Sequence, residues 1–257
     1  MKKISLLFLL AAASIDAIAQ QVITVNDRIV EEEKKSKIPG KNIIKINLPA
    51  IALKSFSIQY ERKIARKMTL AGTFRYMPTG KLPLINVINN YAEDPELERQ
   101  LNNIVLGNRS FMPEWRFYVG KKGAFRGFYF APFASIARYE TSLLFEYDDQ
   151  GLTETIPLNG TINALSGGLM LGAQWKLSKA LYLDWWIIGP SYGKSDGSLT
   201  GQKALSVSEQ QAIRDELDGL DIPFTEFTYD VNNNGASVFF KGPWAGLRGG
   251  LCIGIRF

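Results

Sequence analysis

Six charged residues fall where an alternating strand would turn them to the same side of a sheet: Glu61, Arg75, Glu114, Arg116, Asp184 and Arg248. Each is flanked by an apolar or small residue, as in Tyr60-Glu61, Phe74-Arg75-Tyr76, Glu114-Trp115-Arg116-Phe117, Asp184-Trp185 and Leu247-Arg248-Gly249. Carboxylates and guanidinium groups in that pattern can do one of two things. They can work as acid and base on a substrate, or they can neutralise one another where water is excluded. A charge buried without a partner costs several kcal/mol, so an inward-facing set of both signs predicts a lumen ion-pair network. A selective channel lined by these charges is the functional alternative.

Other chemistry has little support. The chain has no histidine, which removes the commonest general base and metal ligand. Cys252 is the single cysteine, so no internal disulfide and no thiolate metal cluster is expected. Asp148-Asp149 precedes Gln150-Gly151 and reads as a turn better than as a carboxylate pair. Asp230, Asn232 and Asn234, followed by Gly235, match the first half of a calcium loop. The position for the closing glutamate holds Lys241, so an Asn-Gly hairpin turn explains these residues more simply. No cofactor, no metal and no enzymatic activity are expected. The net charge of +5 carries no basic block interleaved with aromatics, which leaves nucleic-acid binding unsupported.

The elements that position the charges have a period of two. Strands are expected over Ile43 to Leu48, Lys54 to Lys63, Met68 to Met77 and Phe111 to Val119. A fifth runs from Gly127 towards Tyr147, with a bulge at Pro132 and a facing that alternation leaves unassigned. A sixth ends on Leu165 to Leu177, a seventh begins at Leu181 with Ile187 outward and Ile188 inward, and Trp244 to Phe257 forms the eighth. Two long connections read as helical. In the first, Leu84, Val87, Ile88 and Tyr91 have helical spacing, and Asp94-Pro95 opens a stripe of Leu97, Leu101, Ile104 and Val105 ending at Gly107. In the second, Ser206 and Glu209 can form a capping box ahead of Ile213, Leu217 and Leu220.

Short turns follow the second, fourth and sixth strands, and long loops follow the third and seventh, which is the rim asymmetry of membrane barrels. The expected fold is all-β: an eight-stranded antiparallel up-and-down transmembrane β-barrel spanning residues 42–257, with helical segments in two long extracellular loops. Phe74, Tyr76, Phe111, Trp115, Trp175, Trp185 and Trp244 would supply aromatic girdles. Residues 1–19 read as a signal peptide: Lys2-Lys3, an apolar core from Ile4 to Ala13, and Ala17-Ile18-Ala19 before the cleavage point. Its removal takes away Lys2, Lys3 and Asp16, lowering the net charge from +5 to +4. Residues 20–41, with a mixed charge run, form a flexible periplasmic lead-in, and an even strand count leaves both termini periplasmic.

The alternating Leu251, Ile253, Ile255 and terminal Phe257 look like the assembly signal of outer-membrane barrels, which implies recognition by the barrel-assembly machinery. Ile-Lys-Ile-Asn-Leu-Pro at 44–49, Phe-Ser-Ile-Gln-Tyr-Glu at 56–61, Pro-Glu-Trp-Arg-Phe-Tyr at 113–118 and Gly-Phe-Tyr-Phe-Ala-Pro at 127–132 resemble a family of small outer-membrane barrels defined as a domain of unknown function. The resemblance implies an OmpA/OmpX-like eight-stranded architecture in the outer membrane of a Gram-negative cell envelope, and it offers no catalytic residues. Outer-membrane barrel enzymes of the protease, deacylase and palmitoyltransferase types resemble this architecture but use a histidine.

The expected function is therefore structural or surface-interaction, or that of a subunit of an envelope complex, with outer-membrane lipid and an envelope protein as partners. The alternative is a barrel that binds or transports a small apolar ligand or lipid beneath helical loop caps. A soluble lipocalin-like barrel would need its apolar face inward, which the arginines and glutamates oppose.

Overall fold

The computed structural model describes residues 40–85, 95–220 and 222–257. The signal peptide, the lead-in before Gly40, and the helical positions Val87, Ile88, Tyr91 and Asp94 lie outside the described residues. The elements are β1 (Asn42–Asn47), α1 (Leu48–Ala52), β2 (Phe56–Ala65), β3 (Met68–Lys81), α2 (Pro95–Asn103), β4 (Val105–Tyr118), β5 (Gly127–Asp149), β6 (Leu152–Lys176), β7 (Leu181–Gln202), α3 (Val207–Asp218), β8 (Glu226–Asn232) and β9 (Gly235–Arg256).

All strand pairs are antiparallel, in the order β1-β2-β3-β4-β5-β6-β7-β9-β8. This corrects the expected eight-stranded up-and-down barrel. The described residues form nine strands and three helices, and β8 lies outside β9 instead of between β7 and β9. Nor is the sheet closed along its length. The free edge of β9 meets β1 only from Ile43↔Arg256 to Asn47↔Cys252, and meets β8 only from Glu226↔Lys241 to Asn232↔Gly235. Between those stretches, Gly242 to Leu251 has β7 on one side and no strand on the other. The cause is local to β1. Asn47 leaves the sheet to cap α1, its Oδ1 accepting from Ala50 N at 3.3 Å, and Pro49 favours the first helical turn over a further ladder residue.

A uniform set of membrane-spanning strands is overturned as well. β1 has 6 residues while β6 has 25, whereas a spanning strand needs about 9–11. The extra length of β5, β6, β7 and β9 rises as a tall wing, and α3 packs on it. There Tyr147, Ile156, Leu158, Leu199, Ile213 and Leu217 are buried together. Full burial of an Ile or Leu side chain contributes about 1.5–3 kcal/mol, enough to hold a twelve-residue helix against the wing.

The inner and outer faces alternate through β2, β3 and β4, with Ser57, Gln59, Glu61, Thr69, Thr73, Glu114 and Arg116 buried. On β5, Tyr129, Ala131 and Phe133 face inward and Phe128 and Phe130 outward. Pro132 makes no bulge, since it pairs in register with Leu169. A bulge lies on β7 instead: register shifts between Trp186 and Gly189, which turns both Ile187 and Ile188 outward. Val105 and Gly107, expected in the first helical connection, belong to β4. In α3 the capping box is present, with Ser206 Oγ accepting from Glu209 N at 3.2 Å and Ser206 N donating to Glu209 Oε2 at 2.8 Å.

Candidate functional site

Three cations and three carboxylates meet inside the sheet, all of them buried. Lys45 Nζ donates to Glu61, to Asp184 Oδ2 at 2.6 Å and to Gln174 Oε1 at 3.3 Å. Arg116 reaches Glu114 through Nε, Asp184 Oδ2 through Nη1 at 2.6 Å, and Gln59 Oε1 through Nη2 at 2.8 Å. Arg248 donates to Glu114 through Nη1 and to Thr73 Oγ1 through Nη2 at 2.9 Å. Neutral donors complete the carboxylates: Tyr118 to Glu61 at 2.7 Å, Thr69 to Glu61 at 2.5 Å, Tyr129 to Asp184 at 2.8 Å and Trp186 Nε1 to Asp184 at 3.0 Å.

Aromatic rings seat two of the cations. The Arg116 guanidinium lies 4.4 Å from the Tyr129 ring centre, and that of Arg248 lies 4.1 Å from Trp186 and 5.4 Å from Phe133. Glycines on β6 clear the room for these rings. A Cβ at Gly172 would fall 2.3 Å from Tyr129 Oη, and one at Gly168 would fall 2.7 Å from the Phe133 ring. Equal numbers of opposite charges, each hydrogen-bonded, give a network that the low-dielectric interior strengthens. Its carboxylates are occupied by internal donors, so the arrangement neutralises charge and leaves no acid–base pair facing a substrate.

Glu61, Glu114, Arg116, Asp184 and Arg248 are thus brought together. Arg75 is set apart from them. It lies above, in the wall of a cavity, and donates through Nη2 to Ser55 Oγ at 3.5 Å. Sequence reasoning missed Lys45, the cation that bridges Glu61 and Asp184. Its signal is the alternation Ile43, Lys45, Asn47, all buried, against exposed Ile44. It missed Tyr118, Tyr129 and Trp186 as network donors because aromatics in a strand read first as packing.

Phe74, Tyr76, Phe111, Trp115, Trp175 and Trp185 are exposed on the outer face. Trp244 is a correction: it lines the cavity, its ring 5.0 Å from that of Tyr139, because it shares the inward parity of Arg248. Ile253, Ile255 and Phe257 are exposed and Leu251 is half-buried on β9. The backbone of Phe257 exchanges hydrogen bonds with Asn42, at 2.9 and 3.1 Å. Asp148 Oδ1 accepts from Gly151 N at 2.7 Å in the β5–β6 turn. Asp230 accepts from Asn232 Nδ2 at 3.2 Å, and Asn232 Oδ1 accepts from Asn234 N at 2.9 Å, in the β8–β9 hairpin. Among the described residues, no group of three or more Cys, Asp or Glu is placed to hold a metal ion.

The cavity measures about 370 Å³ and lies between the network and the wing. Arg248, Trp186 and Phe133 line it on the network side, and Asn47, Ala50 and Leu53 line it beside α1.

A family model described as a protein of unknown function (DUF3575) matches residues 23–196. The chain belongs to that family. The match replaces the narrower OmpA/OmpX-like assignment and includes the strands that carry Lys45, Glu61, Glu114, Arg116 and Asp184, leaving Arg248 outside it. No curated protein matches the chain. Among solved structures it is similar to the beta domain of the Bordetella autotransporter Brka, at 10% identity over 84% of this chain and 96% of that chain, with a TM-score of 0.25.

One further polar cluster anchors α3. Lys203 Nζ donates to Tyr147 Oη at 2.6 Å and lies 3.1 Å from both Glu154 and Glu209. The Ser206 backbone N–H, then the Tyr147 hydroxyl and Lys203, hold the Glu209 carboxyl down at about 2. Partial burial works against the charge of Lys203, but the hydrogen bonds to Tyr147, Glu154 and Glu209 outweigh it and raise its pKa above the ordinary lysine range.

Proposed function

We propose that the chain is a non-enzymatic structural protein of the outer membrane, exported by residues 1–19, with its apolar exterior against lipid and its interior filled by ion pairs. One observation carries this reading: the sheet has its polarity inverted. Glu61, Arg116 and Asp184 are fully buried, while Phe111, Ile136 and Leu169 are 49%, 58% and 48% exposed on the outside. Water penalises a contiguous apolar exterior of that kind, and hydrocarbon does not. The aromatic residues Phe74, Tyr76, Phe111, Trp115, Trp175 and Trp185 fit the level of the lipid headgroups. Leu251, Ile253, Ile255 and Phe257 supply the signal for the outer-membrane assembly machinery.

The network of Lys45, Glu61, Glu114, Arg116, Asp184 and Arg248 serves to fill and rigidify the interior, with Arg75 outside it in the cavity wall. The wing and α3 offer a surface to an envelope partner, while the hydrogen-bonded Asn42 and Phe257 lie at the periplasmic edge. Alkaline carbonate extraction of membrane fractions tests the placement. Retention in the outer-membrane pellet is expected, and release into the supernatant overturns it. Steady conductance steps in a planar bilayer would overturn the filled interior.

A further inference from the structure

We propose that the cavity above Arg248 binds an anionic amphiphile, a carboxylate on an acyl chain, which enters sideways between α1 and β9. This rests on the placement of the exterior in lipid and adds to it a ligand class and a route. At about 370 Å³ the cavity falls within the range of small-molecule sites.

Its lining selects charge. Arg75 and Arg248 both contribute to the wall, with Asn47, Asn108, Ser57 and Ser110 beside them, and no Asp or Glu is among the lining residues. Arg248 keeps one donor in reserve: its Nη atoms hold Glu114 and Thr73, whereas Nε is buried with no hydrogen-bond partner. A rotation of the side chain that turns Nε to the cavity lets a carboxylate accept from it, and charge-assisted bonds of this kind are roughly twice as strong as neutral ones. The remaining wall is aromatic, with Trp186 and Phe133 on the network side and the Trp244–Tyr139 pair further up.

The route is the stretch of β9 that lacks a second strand neighbour, Gly242 to Leu251. Ala245, Leu247 and Gly249, on the outward parity of β9, also line the cavity, as do Pro49 and Leu53 of the α1 segment, so the cavity reaches this gap. Leu48 and Ile51 of α1 and Phe56 of β2 are exposed close by. An acyl chain can therefore pass from a hydrocarbon surrounding to the aromatic wall along apolar side chains, with its carboxylate meeting Arg248 and Arg75.

Two of the five tryptophans line the cavity and three lie outside, which supplies the test. Replacing Trp115, Trp175 and Trp185 by Phe leaves Trp186 and Trp244 to report on it. Titrating this protein in non-ionic detergent with a brominated dodecanoate should quench the remaining fluorescence saturably. Arg75→Gln should weaken the apparent Kd roughly tenfold, the loss of one charge-assisted contact. Ser110→Phe, or Ser135→Phe should the first fail to fold by circular dichroism, should weaken binding at least as much by filling the space. A brominated dodecanol should bind more weakly than the acid. Non-saturating quenching, or quenching unaffected by the Phe substitutions, overturns the site, and equal binding of acid and alcohol overturns its anion selectivity. Saturable quenching in a protein that carbonate releases would retain the site and remove the lipid placement, so the two readings fail separately.

Discussion

Arg116 Nη1 lies 2.6 Å from Asp184 Oδ2, a residue 68 positions further along the chain, and neither side chain reaches water. The pair joins β4 to β7, which are not neighbours in the sheet, so it crosses the interior. Lys45 lies 2.6 Å from the same Asp184 oxygen, drawing in β1. Removing the Asp184 charge leaves two buried cations competing for the other carboxylates. Asp184→Asn should lower stability by about 3–5 kcal/mol, the cost of breaking a buried pair. Urea unfolding in detergent measures it, and a loss within error of zero would mean that water reaches the network.

Glu114 is shared by Arg116 of the same strand and by Arg248, and the second pair ties β4 to β9. A double-mutant cycle with Glu114→Gln and Arg248→Leu should give a coupling energy of about 1–3 kcal/mol. Additive effects in the same unfolding assay would contradict a direct pair.

Gly172 has no room for a side chain. An added Cβ would lie 2.3 Å from Tyr129 Oη and 2.8 Å from the Trp185 carbonyl, which cannot swing away. Gly172→Ala should destabilise by about 1–3 kcal/mol through overpacking, by displacing the ring on which Arg116 sits. Gly80→Ala, where nothing lies within 4 Å, is the matched control and should leave the denaturation midpoint close to that of the parent.

The anchor of α3 depends on pH through Glu209 and Lys203. Glu209 has its pKa depressed from 4.5 to about 2, so its contribution is complete above 4.5 and disappears as pH falls through about 2. Lys203 has its pKa raised above 10.5, so its contribution is complete below that value and disappears only as pH rises past the higher folded one. The anchor should therefore be intact across neutral pH. An NMR titration of the Glu209 side chain should follow the depressed value, and in Ser206→Ala, which removes the hydroxyl cap, the midpoint should move back towards 4.5. A Glu209 midpoint already near 4.5 in the parent protein would contradict the anchor.

Much of the network was legible along the chain. Glu61, Glu114, Arg116, Asp184 and Arg248 alternate with apolar neighbours, and a period of two sends them to one face whatever the strands pair with. The same rule exposes Lys45, but Ile-Lys-Ile hides one cation in an apolar run. Trp244 shows the reverse error: its parity with Arg248 places it inside, and its aromatic character alone put it in a girdle. Ile188 was misplaced because a bulge changes parity without leaving a mark in composition.

What the sequence determined by itself is which residues alternate, because the pleat acts on each strand independently of its neighbours. It therefore settled the inverted polarity, the capping box at Ser206 and Glu209, and most of the inward charges. Tertiary structure alone decided where the strands end and what lies beside each one. β1 stops at Asn47, β8 pairs outside β9, and Gly242 to Leu251 between them has no second strand neighbour. Those outcomes depend on long-range pairing and on the competition between a helical turn and a ladder. No local periodicity carries that information.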